Sequence, residues 1–154
     1  MRFLKKRLLL IPAFSLALWF FGAWLDAGEV AQQVELRIGS ILASNQSNDF
    51  DPRLAKMKDQ LKVFKYQSYK LIKEDHQQAR WNADTNFEIP GGRSLIVAPQ
   101  GLQNNQLSLK VRLLEGEKPL LDTTVRLKEG SNLLLGGPPH EGGVLIVSIS
   151  ASAK

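Results

Sequence analysis

The chain has 154 residues, 44% of them hydrophobic, with no cysteine and a formal net charge of +5. Without cysteine there is no disulfide, no thiolate metal site and no acylated lipoprotein cysteine, so the fold rests on packing alone. The first 27 residues carry four of the 20 basic residues and one of the 15 acidic ones; the remainder balances 16 against 14, which removes the main support for a generic nucleic-acid binder.

Arg2, Lys5, Lys6 and Arg7 form a basic cluster, and the 18 residues from Leu8 to Leu25 that follow contain no charge. Trp19, Phe20, Phe21 and Trp24 leave this run apolar all round, unlike a surface helix with one polar face. A bilayer-spanning helix needs roughly 17 to 25 residues, so the run is short for an anchor and long for a cleaved signal. The best cleavage pattern, Leu25-Asp26-Ala27, puts a bulky leucine where a small residue belongs. In either case the positive charges hold the N-terminus in the cytoplasm and deliver the rest across the membrane. Residues 1–27 are therefore expected to be a signal peptide or signal-anchor. Residues 28–154 are expected to form one exported domain, periplasmic or at the cell surface, tethered to the inner membrane if the segment is retained.

Beyond a polar tether, Val34, Leu36 and Ile38 alternate with Glu35, Arg37 and Gly39, the period of a strand with one buried face. Ile41 and Ala43 continue on the opposite parity, which points to a bulge near Gly39 or Ser40. After a polar loop, Asp51 is a good N-cap and Pro52 suits the first helical position. Leu54, Met57, Leu61 and Phe64 follow at spacings of three, four and three, predicting one helix of ten to twelve residues. Val63 to Lys73, rich in aromatic and β-branched residues, then reads as a strand with a bulge near Gln67 or Ser68. His76, behind Glu74 and Asp75, reads as a solvated hairpin end.

Turn signals recur at short intervals: Asn82, Pro90-Gly91-Gly92, residues 101–105, 115–119, 129–132 and 136–143. Between them lie strands at residues 85–89, 94–98, 106–114, 120–127, 133–135 and 144–151. In two of these the alternation is clear, with Leu107, Leu109, Val111 and Leu113 opposed to Ser108, Lys110 and Arg112, and Leu121, Thr123, Val125 and Leu127 opposed to Asp122, Thr124 and Arg126. One sheet face is dry and the other wet, which excludes an outer-membrane barrel. The lack of crossover helices excludes a parallel α/β domain. The expected fold is mainly β: an antiparallel sandwich or barrel-like meander of seven or eight strands with one short helix.

Catalytic groups are scarce. His76 and His140 sit in different segments, Ser148 and Ser150 lack a nucleophile elbow, and no Walker spacing occurs. Adjacent Glu74, Asp75 and His76 would point to opposite sides of a strand and chelate a metal poorly. No enzyme, metal or cofactor is expected. Two segments are candidate contacts for an anionic surface or a partner. One is the basic series Arg53, Lys56, Lys58, Lys62, Lys65, Lys70, Lys73 and Arg80, set against only Asp59, Glu74 and Asp75. The other is a shaped loop formed by Gly136, Gly137, Pro138, Pro139, His140, Glu141, Gly142 and Gly143. The expected function is a non-enzymatic envelope module that binds another envelope protein or a larger membrane-associated assembly. The alternatives are a carrier with an apolar cavity lined by Leu109, Val111, Val125 and Ile146, and, more weakly, a hydrolase of envelope polymers.

Overall fold

Eight strands and one broken helical segment account for most of residues 33–154, which are the residues the computed structural model describes. The expected membrane segment, Leu8 to Leu25, lies outside them. The strands are β1 (Gln33–Ser44), β2 (Ser68–Arg80), β3 (Thr85–Ile89), β4 (Arg93–Gln103), β5 (Gln106–Glu115), β6 (Lys118–Lys128), β7 (Asn132–His140) and β8 (Gly143–Ala153). They form two four-stranded antiparallel sheets, in the orders β2-β1-β8-β7 and β3-β4-β5-β6. The sheets pack face to face as a β-sandwich rather than closing into one barrel. All the turns after β2 fall where the sequence signals them, and each holds backbone at positive φ: Asn82, Gly91, Asn104, Gly116, Gly130 and Glu141.

The main core lies between the sheets. Val34, Leu36 and Ile38 of β1 and Leu145, Val147 and Ile149 of β8 meet Phe87, Leu95, Val97, Leu107, Leu109, Val111 and Leu113 of the second sheet. Trp81 packs against this cluster. A second cluster occupies the opposite face of the first sheet, where Ile41, Ala43, Tyr69, Leu71 and Ile146 are covered by Leu54 and Leu61. The change of parity in β1 therefore needs no flip of the strand. Even-numbered residues face the second sheet, and the odd-numbered Ile41 and Ala43 face the helical segment. The bulge expected in β1 lies in its partner, since Ser40 pairs with Lys73 and Ile41 with Leu71, leaving Ile72 as the extra residue of β2.

The helix differs from the expectation. Residues 52–64 form a 3-10 turn (Pro52–Met57), one four-residue α-helix, α1 (Lys58–Leu61), and a second 3-10 turn (Lys62–Phe64). Asp51 caps the start by accepting from the Arg53 amide at 3.0 Å. Lys65, left-handed at φ 59°, ends the segment, so Val63 and Phe64 belong to it and not to a strand. The Tyr69 hydroxyl pins this end by donating to the Leu61 carbonyl at 2.7 Å and accepting from the Tyr66 amide at 3.0 Å. The two 3-10 turns flank the single α-helical turn, the position at helix ends where such turns are frequent.

Two further corrections concern polar stretches that belong to strands. His76 is no hairpin end: β2 pairs with β1 from Ser68 to Arg80, with His76 opposite Arg37. Residues 136–143 are mostly not a loop. Gly136 to His140 belong to β7 and Gly143 begins β8, so only Glu141 and Gly142, at φ 43° and 78°, form the turn. Pro138 and Pro139 are tolerated because β7 is an edge strand and its register shifts between Gly136 and Pro139. Gly143 is required by a close approach, since a Cβ there would collide with the Ala43 carbonyl of β1.

Arg93 closes the sandwich at the end carrying this hairpin. It is 9% exposed, and its guanidinium donates to Glu115 Oε2 at 2.9 Å, the Pro90 carbonyl at 3.1 Å and the Pro139 carbonyl at 3.0 Å. His140 Nδ1 lies 3.3 Å away. One buried cation thus joins the β3–β4 turn, the end of β5 and the β7 edge of the other sheet. Its substitution leaves two carbonyls and a carboxylate without their donors. Arg93→Ala is therefore expected to lose about 3 kcal/mol of stability, the scale for removing one partner of a buried, hydrogen-bonded ion pair. Urea unfolding at neutral pH measures it, and a loss below about 1 kcal/mol, typical of an exposed pair, would show that Arg93 does not join the sheets.

Candidate functional site

Because the helical segment covers only half of the outer face of the first sheet, the other half stays open and polar. Parity places Glu35, Arg37 and Gly39 of β1 on this face, beside Glu74 and His76 of β2 and Ser148, Ser150 and Ser152 of β8. Where the cover ends, a groove of about 350 Å³ runs along the boundary. Arg37, Glu74, Asn132 and Ser148 line it from the sheet, and Pro52, Arg53, Ala55, Lys56 and Met57 line it from the helical segment. Gly39 keeps the floor open: a Cβ there would lie 2.5 Å from Ser148 Oγ and 3.3 Å from Leu71 Cδ1.

The wall of the groove is fixed by Asp51. Its carboxylate accepts from the Arg53 amide and from Arg53 Nε, both at 3.0 Å, from Arg53 Nη2 at 2.7 Å and from the Leu71 amide at 3.0 Å. Arg53 Nη2 also donates to the Leu71 carbonyl at 2.9 Å. The Arg53 side chain, followed by its backbone amide, holds the Asp51 carboxyl far below the usual carboxylate range. Gln60 of α1 ties the segment to β7 by donating to the Asn132 carbonyl at 3.0 Å. Three cations thus border the groove against one carboxylate, Glu74. Arg53 is engaged by Asp51, whereas Arg37 and Lys56 have no ion-pair partner among the described residues.

On the same face of β1, the Glu35 carboxylate meets Lys154 Nζ at 2.6 Å and the His76 imidazole Nε2 at 3.1 Å. Lys154 is the main cause that lowers the Glu35 pKa. His140 lies in another region, beside Arg93. The two histidines therefore do not converge on one site, and Glu35, His76 and Lys154 form a polar cluster that joins β1, β2 and the residue after β8.

The eight basic residues of residues 53–80 do not form one patch. Arg53, Lys56, Lys58, Lys62 and Lys65 lie on or beside the helical segment, where Lys62 pairs with Asp59 at 3.6 Å and Lys58 stands 5.3 Å from the Phe50 ring centre. Lys70 alternates with the covered Tyr69 and Leu71 and faces the other side of the sheet. Lys73 also faces that side, donating to the Glu88 carbonyl at 2.7 Å and pairing with Asp75 at 3.4 Å. Arg80 is at the far end of β2, opposite Gln33. The groove needs Arg37, whose only signal in the sequence is its place on the polar parity of β1. The four proposed cavity residues separate as well, since Leu109, Val111 and Val125 face the inter-sheet core while Ile146 lies in the cluster beneath the helical segment.

A second depression, of about 390 Å³, lies at the β4–β5 hairpin. Gln100, Gln103, Asn104 and Gln106 supply flexible amides there, and Arg126 is its one charged lining residue. Comparison with known proteins gives no match to a family model, a curated protein or a solved structure.

Both depressed carboxyls carry the same sign of pH dependence. Asp51 and Glu35 stay ionised in the folded protein at a pH where the unfolded chain takes up protons, so their contribution is complete above the ordinary values of 3.8 and 4.5. It is lost as pH falls through the lowered folded values. Stability is expected to decline as the solution is acidified below about pH 4. Asp51→Asn keeps a capping oxygen but no charge. It should be less stable than the parent at neutral pH and show a flatter decline on acidification, measured as urea midpoints across a pH series. Parallel curves for the two proteins would remove Asp51 from this role.

Proposed function

We propose that this chain is a non-enzymatic interaction module of the cell envelope, delivered across a membrane by residues 1–27. On this reading it binds another envelope protein or a larger membrane-associated assembly through an exposed sheet edge. The basic cluster followed by the uncharged run from Leu8 to Leu25 supports the address. The inequality of the two flanks of the sandwich carries the interaction reading.

On one flank the edges are stitched together. Lys73 of β2 donates to the Glu88 carbonyl of β3 at 2.7 Å, and Gln77 of β2 donates to the Asn86 carbonyl at 3.1 Å, so side chains already occupy acceptors of the β3 edge. On the opposite flank the sheets end at β6 and β7, where Leu121, Val125, Leu133 and Leu135 are only partly buried against the core. β6 is 11 residues long and presents a row of edge N–H and C=O groups beside this apolar seam. Strand addition satisfies such an edge, with backbone hydrogen bonds supplying affinity and flanking side chains supplying selectivity. Lys118, Arg126 and Lys128 on β6 disfavour indiscriminate pairing and favour a partner of opposite charge.

The natural absence of cysteine gives a clean test. A single Thr124→Cys on the exposed side of β6 is expected to cross-link to a partner in envelope preparations through a short thiol-directed linker. Asn86→Cys, on the stitched β3 edge, is expected to give no adduct. Equal labelling at both positions, or adducts only at position 86, would overturn the edge assignment.

A further inference from the structure

We infer that the groove between the helical segment and the first sheet is a binding site for a small carboxylate that also carries a hydrogen-bond donor, such as a hydroxy acid. The inference stands on the groove alone and does not depend on the edge-strand reading or on where the domain resides.

Ser148 provides the deciding observation. It is 6% exposed and lines the groove with Oγ over the bare backbone of Gly39; its backbone pairs within the sheet, whereas its hydroxyl has no hydrogen-bond partner among the described residues. A buried hydroxyl without a partner is costly, so a position that keeps one is suited to a group that enters from the groove. Arg37 and Lys56 line the same cavity and also lack ion-pair partners there. The guanidinium of Arg37 has the planar fork that matches a carboxylate, and Lys56 adds a point charge from the opposite wall.

Glu74 selects among anions. It lines the groove close enough to Arg53 for their charges to interact. Its carboxylate opposes a dianion such as phosphate more strongly than a monoanion, and it can accept from a hydroxyl carried by the ligand. A volume of about 350 Å³ is at the lower end of the range for small-molecule pockets. The geometry thus offers cations for one end of a compact molecule and an acceptor for the other.

The test uses the full chain in non-ionic detergent, titrated in turn with lactate, acetate and inorganic phosphate at constant ionic strength. Amide chemical shifts of residues 37, 56 and 148 are followed. Lactate is expected to bind more tightly than acetate, and phosphate most weakly. Arg37→Gln should weaken lactate binding about tenfold, as loss of a charge-assisted bond implies. Ser148→Ala should weaken it about threefold or more, the scale for a neutral hydrogen bond. Lys110→Gln, on the second sheet, should change nothing, and Glu74→Gln should let phosphate compete. Unaltered unfolding midpoints establish that each variant is folded. Shifts spread evenly over the surface, phosphate binding as tight as lactate, or an undiminished affinity in Arg37→Gln would each overturn the inference.

Discussion

An inner strand of the first sheet sets the terms for the rest of the molecule, because β1 buries apolar side chains on one face along its first half and adds an apolar patch on the opposite face in its second. Val34, Leu36 and Ile38 must be covered from one side, Ile41 and Ala43 from the opposite side. A single flat layer cannot do both. The second sheet takes the first task and the helical segment of residues 52–64 takes the second. Since apolar burial is roughly proportional to the area withdrawn from water, neither cover gains by extending over polar residues. The uncovered remainder of the outer face is the floor of the groove.

The same economy explains how the covers are held. The helical segment is too short to be stable by itself, since isolated helices below about 12 to 15 residues are marginal in water. Asp51 with Arg53 fastens its start to β2, and Tyr69 fastens its end. Arg93 performs the corresponding task for the two sheets, meeting the β3–β4 turn, the end of β5 and the edge strand β7. In both places an arginine donates to carboxylates and carbonyls, and the Asp51 carboxylate in turn accepts from N–H groups of Arg53 and Leu71. These charged groups tolerate partial burial for that reason. The stitching of β2 to β3 follows the same pattern, and no such side-chain bond joins β6 to β7 among the described residues.

The strands were legible wherever one face is dry and the other wet. Alternation in β5 and β6, together with a turn residue at each connection, was enough to place both strands and their inward side chains. It failed where local composition suggested a turn or a loop. His76 stands in a run of charged and amide residues, yet it is in the middle of β2, because pairing with β1 satisfies the backbone regardless of side-chain polarity. The glycines and prolines of residues 136–140 look like a loop but fit an edge strand, where a missing N–H faces away from the ladder. The basic series between Arg53 and Arg80 looked continuous for a related reason: proximity in sequence does not reveal that successive strand residues point to opposite faces, or that the helical segment and β2 turn their lysines in different directions.

From the chain alone one could derive an antiparallel β domain, its turns, the cap at Asp51, the inward leucines and the want of thiol chemistry. Those features depend on local periodicity, on residue-specific backbone preferences and on composition, all of which act within a few residues. Only the folded arrangement decided that the layers make a sandwich, that Arg93 spans its end, and that Arg37 and Ser148 share a groove with Lys56. These are meetings between residues separated by dozens of positions. Their geometry is set by which faces are left over after the apolar surfaces have found their covers, and no local pattern carries that information.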